Sequence, residues 1–129
     1  MKKFLLLVLT LTIVFLWSNT FAAGVYCKTK VIAAQNTWTD PIPVTIGCRA
    51  NIRIHPDTNP VMTIHAQCRY KGETDWFDMD HWDLTATSVD IIHTTAQPEP
   101  EPAQMRLGCK TGGYTSGDCT VRIGTGRLP

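Results

Sequence analysis

Apolar and polar residues alternate strictly over long stretches of this chain. From Ile42 onward, Ile42, Val44, Ile46, Cys48, Ala50, Ile52 and Ile54 form one series, while Thr45, Gly47, Arg49, Asn51, Arg53 and His55 fill the gaps. Successive side chains of a strand point to opposite faces, so this period of two predicts a strand with one buried face, bent at Gly47. The run 62–71 repeats the device, with Met62, Ile64, Ala66, Cys68 and Tyr70 on one side and Thr63, His65, Gln67, Arg69 and Lys71 on the other. Further strands are expected at 25–33, 76–79, 82–92, 105–111 and 119–123. Turn residues punctuate them at Asp40-Pro41, 55–60, 71–74 and 112–117. No segment repeats apolar residues at helical spacing over three turns, which leaves room for at most one helical turn around 78–82. The expectation is an all-β antiparallel domain: a small β-sandwich, with a small β-barrel as the alternative.

The first residues do not follow this pattern. Met1-Lys2-Lys3 is basic, 4–17 is apolar or hydroxyl-bearing, and Thr20-Phe21-Ala22 offers small residues for cleavage. That order is the layout of a signal peptide over 1–22, which leaves 23–129 as a single β-rich domain, secreted or periplasmic. The apolar run is shorter than the roughly 20 residues a bilayer span needs, so no membrane anchor is expected in the mature chain. One domain of this size also excludes the two-lobed nucleotide-binding enzymes.

Export changes the meaning of the five cysteines, all of which follow the expected cleavage point. Small oxidised domains staple thin cores with disulfides, and an odd number predicts two bridges and one free thiol. Cys109 with Cys119 is the first expected bridge, because the glycine-rich stretch between them suggests a tight reversal. Cys48 and Cys68 are the other candidates. A cation follows directly in Cys27-Lys28, Cys48-Arg49, Cys68-Arg69 and Cys109-Lys110. Alternation then sends the sulfurs to the core and the cations, with Arg53, Arg106 and Arg122, to a basic exterior.

The net charge of +1 conceals a division along the chain. Between Gly72 and Met105 there is no Lys or Arg, while Glu73, Asp75, Asp78, Asp80, Asp83, Asp90, Glu99 and Glu101 all fall there. Either the two groups pair across neighbouring strands, or one of them faces a partner and steers its approach.

The densest candidate chemistry lies within that acidic segment. Trp76, Asp78, Asp80, His81, Trp82 and Asp83 place rings beside carboxylates, which suits a sugar or protein surface, or else Trp76 and Trp82 anchor the core and the acids form a solvated edge. Their spacing does not fit a calcium loop. Pro98, Glu99, Pro100 and Glu101 begin a stiff acidic loop suited to docking in a groove, since it loses little entropy on binding.

Enzyme signatures are weak. Cys109 replaces the glycine a phosphate loop needs before Lys110-Thr111, and Thr115 stands where a nucleophile elbow requires serine. The four histidines lack metal-ligand spacing, unless His55 and His65 meet across a hairpin. The expected function is therefore exported, non-catalytic binding of a protein partner, as in inhibitors, immunity proteins and toxin-like effectors. A carbohydrate-binding module is the second reading and a small metal-binding or hydrolytic enzyme the third. No cofactor, bound metal or nucleic-acid partner is expected.

Overall fold

Period-two patterning of this kind builds an all-β antiparallel sheet. The computed structural model describes residues 26–44, 49–95 and 103–125, so the expected signal peptide, Gly47, Cys48 and the loop residues Pro98, Glu99, Pro100 and Glu101 lie outside the described residues. Among the described residues eight strands form one antiparallel sheet: β1 (Cys27–Ile32), β2 (Thr37–Trp38), β3 (Ile42–Val44), β4 (Ala50–Tyr70), β5 (Phe77–Leu84), β6 (Ile91–Thr94), β7 (Ala103–Cys109) and β8 (Tyr114–Thr125).

The register reduces these eight strands to four long, bent ribbons. β4 is the spine. Along one of its edges run β8, against Ala50 to Met62, and then β7, against His65 to Tyr70. Along the other run β6, against Asn51 to Ile54, and β5, against Met62 to Cys68. β1 flanks β8, and β2 with β3 flanks β7. Every ribbon is interrupted near its middle, and there the sheet folds over and curls into a nearly closed, barrel-like wall.

In β4 the interruption is a series of register shifts between Pro56 and Met62, with Asn59 in the left-handed region at a φ of +40°. Bulges let a strand turn such a corner without ending. The expected turn at 55–60 is thus a corner inside one strand. Gly117, at a φ of +76°, lies against it, and an added Cβ there would fall 2.2 Å from the Thr58 carbonyl oxygen.

The core fills the inside of this folded sheet. Ile42, Val44, Ile52, Ile54, Ile64, Met105, Leu107, Val121 and Ile123 are all fully buried. Each belongs to the inward phase that alternation assigns. The helical turn considered around 78–82 is strand β5 instead, because Met62, Ile64 and Ala66 offer it a complete pairing edge.

The sandwich expectation is corrected to a single curled sheet, and the disulfide expectation is corrected as well. Cys68, Cys109 and Cys119 are buried free thiols, and no disulfide joins any described cysteines. Cys109 and Cys119 do not face each other across a hairpin, since β7 and β8 run end to end along the same edge of β4. Gly108 stands opposite His65, and Cys119 opposite Pro56. The glycines between them carry the ribbon past its break: Gly113 accepts a hydrogen bond from the Thr63 amide at 2.7 Å.

Cys27 also departs from the expected sidedness. It is exposed, and Lys28 and Lys30 take the phase of Ile123 and Val121 across β8. β1 is an outermost strand, where long lysine stems reach solvent from an inward position and discourage edge-to-edge pairing. Burial pushes the thiols of Cys68, Cys109 and Cys119 upward in pKa, the last to about 12. Because the thiolate is the nucleophile, brief alkylation of the folded, reduced protein should modify Cys27 while these three react only after unfolding. Peptide mapping by mass spectrometry checks this, and early labelling of Cys119 would contradict the packing.

Candidate functional site

The outer face of the half built by β5, β4, β7 and β2 carries the richest chemistry. Register sets its rows: His81, His65, Gly108 and Trp38 in one, then Asp78, Gln67 and Arg106 in the next, followed by Arg69 and Gln104. Gly108 leaves room for the Trp38 ring, because a Cβ there would lie 2.7 Å from the indole Cε3. Trp38 thus lies down on the sheet.

Arg106 covers the ring. Its guanidinium carbon is 4.2 Å from the Trp38 ring centroid and 4.1 Å from that of Trp76, while that of Arg69 is 4.6 Å from Trp76. Cations over indole faces are attracted by the ring quadrupole, so the four side chains form one stacked layer. Beneath it Gln67, only 4% exposed, accepts from Arg106 Nε at 3.0 Å and from Arg106 Nη2 at 2.8 Å. Gln67 Nε2 donates to Asp78 Oδ1 at 2.9 Å, and Lys110 Nζ donates to Asp78 Oδ2. A chain of polar contacts therefore runs from arginine through amide and carboxylate to lysine, with each member holding the next in place.

The expected site residues divide between two faces. β5 is bulged at Met79, so that Ala66 faces Asp80 while Gln67 faces Asp78. Asp78, His81 and Asp83 consequently point outward with Trp76, and Asp83 accepts from the Thr63 hydroxyl at 2.7 Å. Asp80 and Trp82 take the inner phase at the open edge of the sheet. Trp82 packs on the core and meets the His93 ring edge-on at 5.4 Å between centroids, and Asp80 lies 3.5 Å from His93 Nε2. His55 and His65 stay apart, on opposite sides of the β4 corner. No group of three His, Cys, Asp or Glu suited to a metal ion occurs among the described residues.

Sequence reasoning placed Arg106 and Arg69 outside but did not join them to Trp38, Trp76 or Gln67. The signal that could have found them is the Gly108 to Trp38 pairing, which becomes visible only with the register. Two acids of the 72–105 segment pair with cations from outside it, Asp90 with Arg53 at 2.6 Å and Asp78 with Lys110, while Asp40, outside the segment, lies 3.7 Å from Lys28. Asp78 is pulled two ways: burial raises its pKa, but hydrogen bonds from Lys110 and Gln67 outweigh this and hold it below the usual carboxylate value.

His65 is titrated the other way. Its Nδ1 is buried without a hydrogen-bond partner, and burial, outweighing the attraction of Asp78 at 3.9 Å, lowers its pKa below 6.5. The unfolded chain then takes up this proton first as pH falls, so stability decreases from 6.5 down to the folded-state value. Asp78 adds its own loss at lower pH, where the unfolded carboxyl protonates before the folded one. Urea midpoints measured against pH should show both limbs, and His65→Gln should flatten only the upper one.

No family model matches this chain, and no characterised protein or solved structure is significantly similar to it. Functional inference therefore rests on the chemistry of this face.

Proposed function

We propose that the protein is exported and acts without catalysis, by binding a protein partner through the Trp38–Arg106–Trp76–Arg69 face. The observation that carries this reading is the guanidinium of Arg106 lying against two indole rings and anchored from below by buried Gln67. Tryptophan and arginine dominate the energetics of protein interfaces, and here both types are held in fixed rotamers before any partner arrives, which lowers the entropic cost of association. Arg69 and Arg106 have neutral amide partners, Gln104 and Gln67, so their positive charge is directed outward toward an acidic surface. Inhibition, immunity and effector roles all use such a face. A sugar platform is less well supported, because Trp38 is covered by Gly108 on one side and Arg106 on the other, and Trp82 turns inward.

The test is affinity capture from extracts of candidate hosts and neighbouring cells, followed by titration of the purified ligand protein. Arg106→Ala should weaken that complex by about 30-fold, corresponding to roughly 2 kcal/mol at an interface hot spot. Binding to an oligosaccharide array that survives Arg106→Ala, with no protein retained, would replace this reading by the carbohydrate one.

A further inference from the structure

A second constellation lies on the other half of the sheet, away from the Trp38–Arg106 face. The register of β1, β8, β4 and β6 places Thr29, Arg122, Arg53 and Ile92 in one outward row, with Val31, Thr120 and His55 in the next. Arg53 and Arg122 are therefore directly opposed across an antiparallel pair. Like charges in that position repel, and a sheet selected for stability alone would avoid them.

Only one of the two cations is compensated. Asp90 Oδ2 accepts from Arg53 Nε at 3.2 Å and from Nη2 at 2.6 Å, and its other oxygen binds His55 Nδ1. Arg122 meets no carboxylate among the described residues, and its Nε donates to the Cys27 thiol at 2.9 Å. Around the pair is a shallow depression of about 310 Å³ lined by Thr29, Arg53, His55, Thr120 and Arg122. Every lining residue carries a polar hydrogen. Two carboxylates at its rim hold the donors in position: Asp90 fixes Arg53 and His55, and Asp57 accepts from the Thr120 hydroxyl at 2.7 Å with His55 Nε2 3.6 Å away.

The geometry points to a binding site for the oxyanion group of a small ligand, a carboxylate, sulfate or phosphate, seated between Arg122 and Arg53. Guanidinium groups take such anions through paired N–H donors, and an anion placed there supplies the countercharge that Arg122 lacks. The depression is larger than a bare ion requires and admits an acidic sugar or a similar organic acid. Asp90 acts as a positioning residue for this site.

Arginine side-chain NMR on the reduced, full-length mature protein tests the site. Glucuronate, inorganic sulfate and inorganic phosphate are titrated separately, each against sodium chloride at matched ionic strength. The Nε–H signals of Arg122 and Arg53 should shift saturably with at least one of them, while those of Arg69 and Arg106 stay in place. The arm that saturates at the lowest concentration identifies the anion. Arg122→Gln should weaken that binding at least tenfold. It should also leave the urea midpoint unchanged or raised, because relieving the opposed charges does not harm the fold, whereas a purely structural arginine would lower it. Shifts no greater than those with chloride, or binding that survives Arg122→Gln, would overturn the assignment.

Discussion

Ile64→Ala is expected to destabilise the protein by about 2–5 kcal/mol, the range for emptying a fully enclosed aliphatic site. Ile64 is completely buried and lies in β4 just past its corner, opposite Trp82 of β5. Few neighbours can collapse into the space, because β4 is held on both edges at this level. Since β4 pairs with β5, β6, β7 and β8, the loss should appear as an earlier midpoint of one cooperative transition rather than as separate melting of one half. Urea unfolding followed by tryptophan fluorescence and by far-ultraviolet circular dichroism checks both points. A loss under about 1 kcal/mol, or two transitions that do not coincide, would contradict a shared core.

Gly108→Ala should have the next largest effect, and one that reaches the candidate site. The added Cβ would fall 2.2 Å from the Thr37 carbonyl oxygen and 2.8 Å from the Trp38 Cα, both backbone atoms that cannot step aside. β2 must therefore lift away from β7, giving up its pairing at Thr37 and Trp38. Overpacking of this kind costs about 1–3 kcal/mol. Trp38 would also leave the sheet surface and Arg106 would lose one of its two rings. The measurable signs are a lowered urea midpoint, red-shifted indole emission and a displaced Arg106 side-chain signal. Unchanged emission with an unchanged midpoint would mean that Trp38 does not rest on Gly108.

The two substitutions differ in how far they could be foreseen. Ile64 was legible from alternation alone, since Met62, Ile64, Ala66 and Cys68 share a phase and all are buried. Gly108 was not. Its role depends on Trp38 from a distant segment lying opposite it, and no local pattern reports which strands become neighbours. The same gap explains the cysteines: glycines between Cys109 and Cys119 suggested a hairpin, but they carry a ribbon past its break along an edge that β4 supplies. Cys27 went astray because its strand ends the sheet, and an end strand can place lysines in an inward phase. The bulge at Met79 divides the candidate segment 76–83 between faces, with Asp78 and His81 outward and Asp80 and Trp82 toward the core, which no local pattern announces.

What the amino-acid order determined by itself is the β class, the buried phase of each internal strand and the outward placement of Arg53, Arg69, Arg106 and Arg122. Those follow from local sterics, because a pleated chain has two sides and water sorts them. The tertiary structure alone decided that one bent spine organises the whole sheet, that Asp78 and Asp90 of the acidic segment meet Lys110 and Arg53, and that Trp38, Gln67, Arg106 and Trp76 form a single layer. These depend on register between segments far apart in the chain, and a shift of one residue in that register would turn each side chain to the opposite face.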